Sequence, residues 1–267
     1  MHSSSRGAAL AAVAVIGFFL LLLGGCNNDS PTAVQELQTA EERVDGEIAL
    51  GGGTVVAARN QVGPIFVNGE GLGPKIRWFM NRSASAPTLA EARNLLRNIT
   101  LTSATEADTL ALRVSAPENS TTASYTSLLS LGVPLDAPCR IDQVLGEIFV
   151  SSLFADLQIA NAGRVTVLQH AGNCRISSSR GDIAVQIALP VQGVCTVSTS
   201  SGNVSIVLAA NTSARVSCAT GDGLISVVGL VLSDVNRTAA SLTGTLGSGM
   251  GEVQLSTGKG NIEIKAP

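Results

Sequence analysis

Gly181-Asp182-Ile183-Ala184-Val185 and Gly202-Asn203-Val204-Ser205-Ile206 are two copies of one phrase: a glycine, any residue, Ile or Val, a small or polar residue, then an aliphatic. The phrase fills the second half of the chain, from Cys139 to Ile264. It returns as Gly146-Glu147-Ile148-Phe149-Val150, Gly163-Arg164-Val165-Thr166-Val167, Gly223-Leu224-Ile225-Ser226-Val227, Gly251-Glu252-Val253-Gln254-Leu255 and Gly260-Asn261-Ile262-Glu263-Ile264. Two earlier copies open at Gly46 and Gly63. Glycine suits a tight turn, and the alternation after it is the period of a strand with one buried face. Gly146, Gly163, Gly181, Gly202, Gly223, Gly251 and Gly260 are therefore predicted turn glycines, each feeding a strand.

Successive glycines from Gly146 to Gly163, Gly181 and Gly202 lie 17, 18 and 21 residues apart. A self-similar period near 20 is what stacked β-solenoid coils produce, so the predicted fold is all-β, a single-stranded β-solenoid. One coil cannot stand alone. Burying three or four aliphatic side chains contributes roughly 5–10 kcal/mol, whereas fixing about 20 backbone residues costs roughly 20–40 kcal/mol. The coils must fold as one body.

Composition agrees with an aliphatic core: 45% of the 267 residues are hydrophobic, yet only 3% are aromatic and 14% charged. The net charge of −3, with no zinc spacing and no P-loop pattern, argues against nucleic acid as a partner, and neither cofactor nor metal is expected.

Residues 1–25 read as a targeting segment, with Arg6 in a short n-region and an uncharged apolar run from Gly7 to Leu23. Leu23-Gly24-Gly25-Cys26 resembles the bacterial lipobox, which implies cleavage and a lipidated Cys26 as the mature N-terminus. Several acyl chains on one residue suffice for stable membrane anchoring. By the same resemblance, Asn27 in the position after the cysteine favours the outer membrane. Residues 26–32 then form a polar tether, and 33–267 the folded domain, divided into N-terminal strands and helix (33–138) and glycine-phrase repeats (139–267).

Cys139, Cys174, Cys195 and Cys218 remain, an even number in an exported chain. The first three each precede a repeat glycine by seven residues, so they occupy stacked positions. If each phrase is a separate coil, Cys174 and Cys195 are the first candidate disulfide; if two phrases make one coil, the pairing is Cys139–Cys174 with Cys195–Cys218. Buried free thiols are the third possibility.

The rhythm breaks once. Thr88 with Glu91 three residues on is a capping box, and Leu89, Ala92, Leu95, Leu96 and Ile99 recur at helical spacing, predicting a helix over Leu89–Asn98 that covers an edge or end of the sheet. The segment from Leu230 to Gly249, rich in Ser, Thr and Gly, reads as a surface excursion.

Here the chain resembles the "putative adhesin" family of exported β-strand-repeat proteins, related to autotransporter-adhesin heads. The resemblance runs from Val44 to the C-terminus. It is carried by Gly46-Glu47-Ile48, Gly63-Pro64-Ile65-Phe66-Val67, the helix before long strands, Val133-Pro134 ahead of Cys139, and the closing double phrase from Gly251 to Ile264. It implies a right-handed solenoid without enzymatic activity and brings no catalytic residues.

Motifs that suggest chemistry each have a plainer explanation. Arg180-Gly181-Asp182 spells an attachment tripeptide, but its glycine is a repeat turn. A file of Asp, Asn and Glu after the glycines offers one carboxylate per coil, too few for calcium. His170 reads as an exposed turn residue, and a serine nucleophile has no other histidine as base within the mature chain. Trp78 and Tyr125 are potential sugar-stacking rings, or packing. The function that follows is a lipid-anchored, non-enzymatic structural, adhesion or protein-interaction module of the cell envelope, whose partners are the membrane and an envelope polymer or protein. A periplasmic sensor or assembly factor that binds by strand addition is the alternative; a carbohydrate-active β-helix enzyme stands behind both.

Overall fold

The computed structural model describes residues 36–71, 73–143, 146–161 and 163–267. The leader, the tether and Cys26 lie outside the described residues. In chain order the N-terminal part comprises β1 (Gln38–Ala49), β2 (Val55–Asn60), β3 (Ile65–Glu70), β4 (Lys75–Ala86), α1 (Leu89–Leu95), β5 (Thr100–Glu106), β6 (Thr109–Ser115) and β7 (Ser124–Pro134). The repeats supply β8 (Cys139–Gln143), β9 (Ile148–Ser151), β10 (Leu157–Asn161), β11 (Val165–Ala171), β12 (Cys174–Ser178), β13 (Ile183–Ala188), β14 (Val194–Thr199) and β15 (Val204–Leu208). The C-terminal part adds β16 (Ala214–Asp222), β17 (Ile225–Val228), β18 (Ser233–Arg237), β19 (Ser241–Leu246), β20 (Gly251–Lys259) and β21 (Ile262–Lys265).

These strands form two sheets of a β-solenoid. Sheet I has the order β1-β4-β7-β3-β9-β11-β13-β15-β21-β17, and sheet II the order β18-β19-β16-β20-β14-β12-β10-β8-β2-β6-β5. Each coil contributes one strand to sheet II and the next to sheet I, and the coils stack in parallel register. The phrase glycines precede strands of sheet I, with two corrections: Gly46 lies inside β1, paired with Trp78, and Gly251 begins β20 of sheet II and is a strand residue rather than a turn.

The inward residues of both sheets make one continuous aliphatic core. In sheet II one row runs Leu110, Val56, Cys139, Leu157, Cys174, Cys195, Val253 and Val216, and the next runs Leu112, Ala58, Ile141, Ile159, Ile176, Val197, Leu255 and Cys218. Each phrase is thus a separate coil, and Cys174 directly opposes Cys195. Cys139 and Cys174 are separated by Leu157 of the intervening strand, which excludes the rival pairing. All four cysteines are buried free thiols, so the structure contains no Cys174–Cys195 disulfide. In-register neighbours on adjacent parallel strands stand roughly 4.8 Å apart, backbone to backbone, within the range a disulfide accepts, and here the two side chains meet as thiols. Burial pushes the Cys139 and Cys218 thiols up to about 12; contact with Cys195, then burial, raises Cys174 well above the ordinary thiol range.

Neither end of the column follows chain order. The β2/β3 coil stacks between β6/β7 and β8/β9, and the β20/β21 coil between β14/β15 and β16/β17. The predicted excursion at 230–249 instead forms β18 and β19, which extend sheet II in antiparallel fashion from β16. At the N-terminal end the helix forms where the capping box placed it: Glu91 N donates to Thr88 Oγ1 at 3.2 Å, and Thr88 N to Glu91 Oε2 at 3.1 Å. A 3-10 turn, Leu96–Asn98, completes it. Ala92, Leu96 and Ile99 are buried, while Leu89 faces solvent. The helix packs on β4 and β1, closing the end of the core.

Candidate binding faces on the two sheets

The glycine corner, where the chain passes from sheet II to sheet I, is built from two stacked files. At Gly181, with φ of +113°, an added Cβ would run into the Gly163 backbone at 2.7 Å, so the file of glycines lets adjacent coils approach without side chains between them. Buried beside it, strand-end side chains donate to the corner carbonyls: Gln143 Nε2 to Gly63 O at 2.7 Å, Ser178 Oγ to Gly163 O at 3.1 Å, Thr257 Oγ1 to Gly202 O at 2.8 Å and Thr220 Oγ1 to Gly260 O at 2.9 Å. The donors are buried and the corner is partly so, and a buried polar group left unpaired is costly. Asp182 belongs to an outer ladder, accepting from Asn203 N at 2.8 Å; Asn203 Oδ1 accepts from Asn261 N at 2.9 Å. The Arg180-Gly181-Asp182 triplet is therefore tied into corner architecture.

His170 corrects the sequence reading: it is 1% exposed. A bulge in β11, with Gln169 at φ of +51°, turns the ring into the core. Nδ1 lies 2.8 Å from Leu153 O and Nε2 3.2 Å from Asn173 O. Burial holds its pKa below the ordinary value; the two carbonyls and Asp156 oppose the shift without overcoming it. It is a packing and corner-bonding residue with no serine in its hydrogen-bond set. Trp78 opposes Leu131 and lies against Gly46, whereas Tyr125 is buried opposite Ala84. Six residues apart along the strand pairing, roughly 20 Å, they do not form a stacking pair.

The outer faces differ sharply in charge. On sheet I, Lys75 pairs with Glu47 at 2.9 Å, Arg82 with Glu42 at 2.6 Å, Lys265 with Glu263 at 2.8 Å and Arg77 with Glu70, while Arg164 at the corner lies 3.7 Å from Glu147. Lys265 and Ser205 together hold the Glu263 carboxyl below its ordinary range. Phe66 and Phe149 touch on this face with centroids 5.8 Å apart, and Arg43 sits 4.3 Å over the Phe79 ring.

Sheet II carries a groove of about 1040 Å³ across β6, β2, β8, β10, β12 and β14. Arg59, Arg113, Arg140 and Arg175 line it. Arg59 and Arg113 are direct register partners, and Arg140 and Arg175 flank Gln158 in one row across the strands. Among the described residues the only ion pair in the groove is Arg59 with Asp142, at 3.9 Å, and Arg59 Nε is buried without a partner. Asp156, held by Asn173 at 3.0 Å, and Glu106 sit at the margins. Sequence reading missed this face although its signal was present, because each arginine follows an inward residue in strand alternation, as in Cys139-Arg140-Ile141 and Cys174-Arg175-Ile176.

Residues 141–265 match the family model described as Toastrack DUF4097. Among solved structures, a "putative cell adhesion protein" from Clostridium sporogenes ATCC 15579 is similar with a TM-score of 0.52 at 14% identity, over 86% of this chain and 100% of that one. This likeness concerns the fold alone. A "putative adhesin" from Bacteroides fragilis NCTC 9343 has a TM-score of 0.29 at 10% identity, covering 84% and 97% of the two chains. A "putative lipid binding protein" from Parabacteroides distasonis ATCC 8503 has a TM-score of 0.28 at 10% identity, covering 84% and 96%. No curated protein matches the chain.

Proposed function

We propose that this protein is a lipid-anchored component of the bacterial cell envelope whose β-solenoid is a non-enzymatic binding and adhesion module. The observation that carries the reading is the pair of outer faces: on one, four of the basic side chains are paired with acids of the same sheet, while the other carries a groove of arginines left for something outside the chain. A rigid column suits such a role because outward residues on successive coils stand at fixed strand spacings, which preorganises a repeating contact surface. The leader, Cys26 and Asn27 support an outer-membrane tether, and the adhesin-like fold is consistent with it.

Two measurements test this. Replacing Cys26→Ser should move the chain from the membrane fraction to the soluble fraction, with loss of labelling by a palmitate analogue. Photo-crosslinkers placed at Gln158 should capture an envelope component in intact cells. A Cys26→Ser chain that remains membrane-bound sinks the tether, and crosslinkers that capture nothing sink the binding module.

A further inference from the structure

We propose that the sheet II groove binds a linear polysaccharide bearing carboxylate groups, with Arg140 and Arg175 as its principal contacts; this deepens the binding-module reading and rests on it. The first support is energetic. Arg59 and Arg113 face one another directly across a strand pair, a like-charge arrangement that destabilises a sheet. Asp142 reaches only Arg59, and only at 3.9 Å. On sheet I, Lys75, Arg77, Arg82 and Lys265 each have an acidic partner and Arg43 sits over the Phe79 ring, so the uncompensated set on sheet II marks a place where folding economy yields to a ligand.

The second support is spacing and chemistry. Arg140 and Arg175 are two strands apart, roughly 10 Å, with neutral Gln158 between them in the row. A chain lying across the strands would meet a guanidinium, an amide and another guanidinium in turn. Guanidinium groups take carboxylates bidentately, and the amide suits a hydroxyl. A polymer with spaced carboxylates and intervening hydroxyls has that pattern. Nucleic acid does not, because a charge on every nucleotide would also press against Asp142 and Asp156. A folded protein partner fits poorly too: the groove offers no aromatic anchor of the sort that dominates protein interfaces.

The test uses the full-length chain in detergent micelles with fluorescein-labelled oligogalacturonate, read by anisotropy. Binding should be saturable and weaken as salt rises. Arg140→Ala and Arg175→Ala should each weaken it by about three- to tenfold, as expected for partly exposed charge-assisted contacts. Arg215→Ala, on the same sheet but opposite Glu252 and outside the groove, should leave it unchanged. Circular dichroism melting checks that each variant is folded. Unaltered binding by the folded double variant overturns the proposal. So does equal binding of a neutral maltooligosaccharide, or preference for duplex DNA or polyglutamate at matched ionic strength. Absent oligogalacturonate binding with persistent in-cell crosslinks from Gln158 rejects the polysaccharide class and leaves the binding module intact; loss of both rejects the two together.

Discussion

The two corners of the column solve the same problem in different ways. At the glycine corner every coil uses nearly the same device: a strand-end polar side chain, a glycine, and a carbonyl that accepts from the neighbouring coil. At the opposite corner, where sheet I returns to sheet II, the connections vary in length, and Ser152, Gln169 and Gln192 take up left-handed backbone without being glycine. Phe154 and Val191 stand exposed there. A repeat becomes visible in sequence where coils are in close backbone contact, because that contact dictates residue type; where loops bulge into solvent, each coil is free to differ.

Substitutions can break this contrast. The largest effect is expected for Gly202→Val, whose Cβ would meet the Gly181 and Asp182 backbone at a φ of +144°. A loss of more than about 4 kcal/mol, or no folded protein at all, should appear in urea denaturation. Val191→Ser, 73% exposed at the other corner, should change stability by less than about 0.5 kcal/mol. Comparable losses for the two would show that the corners are not different in kind.

His170→Ala comes next, since it leaves a cavity and deprives whichever carbonyl, Leu153 O or Asn173 O, accepts from the neutral ring's single N–H; a loss of about 2–4 kcal/mol is expected in the same assay. It would show that the variable corner has one buried anchor of its own. Thr257→Val should cost about 1–3 kcal/mol, because Gly202 O loses its donor within the glycine corner. A neutral result would mean that water reaches this carbonyl.

The smallest effect is a pH dependence. His170 has a folded pKa below its ordinary value of 6.5, so the unfolded chain binds the proton more readily. Its contribution is full above 6.5 and is lost as pH falls through the depressed folded value. The urea midpoint should therefore drop between pH 7.5 and pH 5, and His170→Gln should flatten that part of the profile. An unchanged slope would mean that the two carbonyls, rather than burial, govern the ring.

What could be read from the sequence follows the same division. Strand alternation, the glycine file and the opposition of Cys174 and Cys195 were legible because each is dictated by a strict local constraint. The buried ring of His170 was not, because the bulge at Gln169 reverses inward and outward, and nothing in Leu168-Gln169-His170 announces a bulge. The place of Gly251 was also hidden: the same phrase serves as a strand start when the preceding hairpin delivers it to sheet II. The arginine groove could be read only by combining alternation with the stacking order, since Arg59 and Arg113 lie far apart in the chain and meet through an out-of-order coil.

That out-of-order stacking has a bearing on how the molecule is made. β20 and β21 are synthesised after β16 and β17 yet occupy the berth between them and β14/β15. Until residues 251–265 are in place, the folding chain has two unfinished parallel edges facing one vacant slot, each able to capture a stray strand. The final coil works as a keystone, so a polypeptide that stops short of it loses the seat of β16 to β19 as well as the last coil itself.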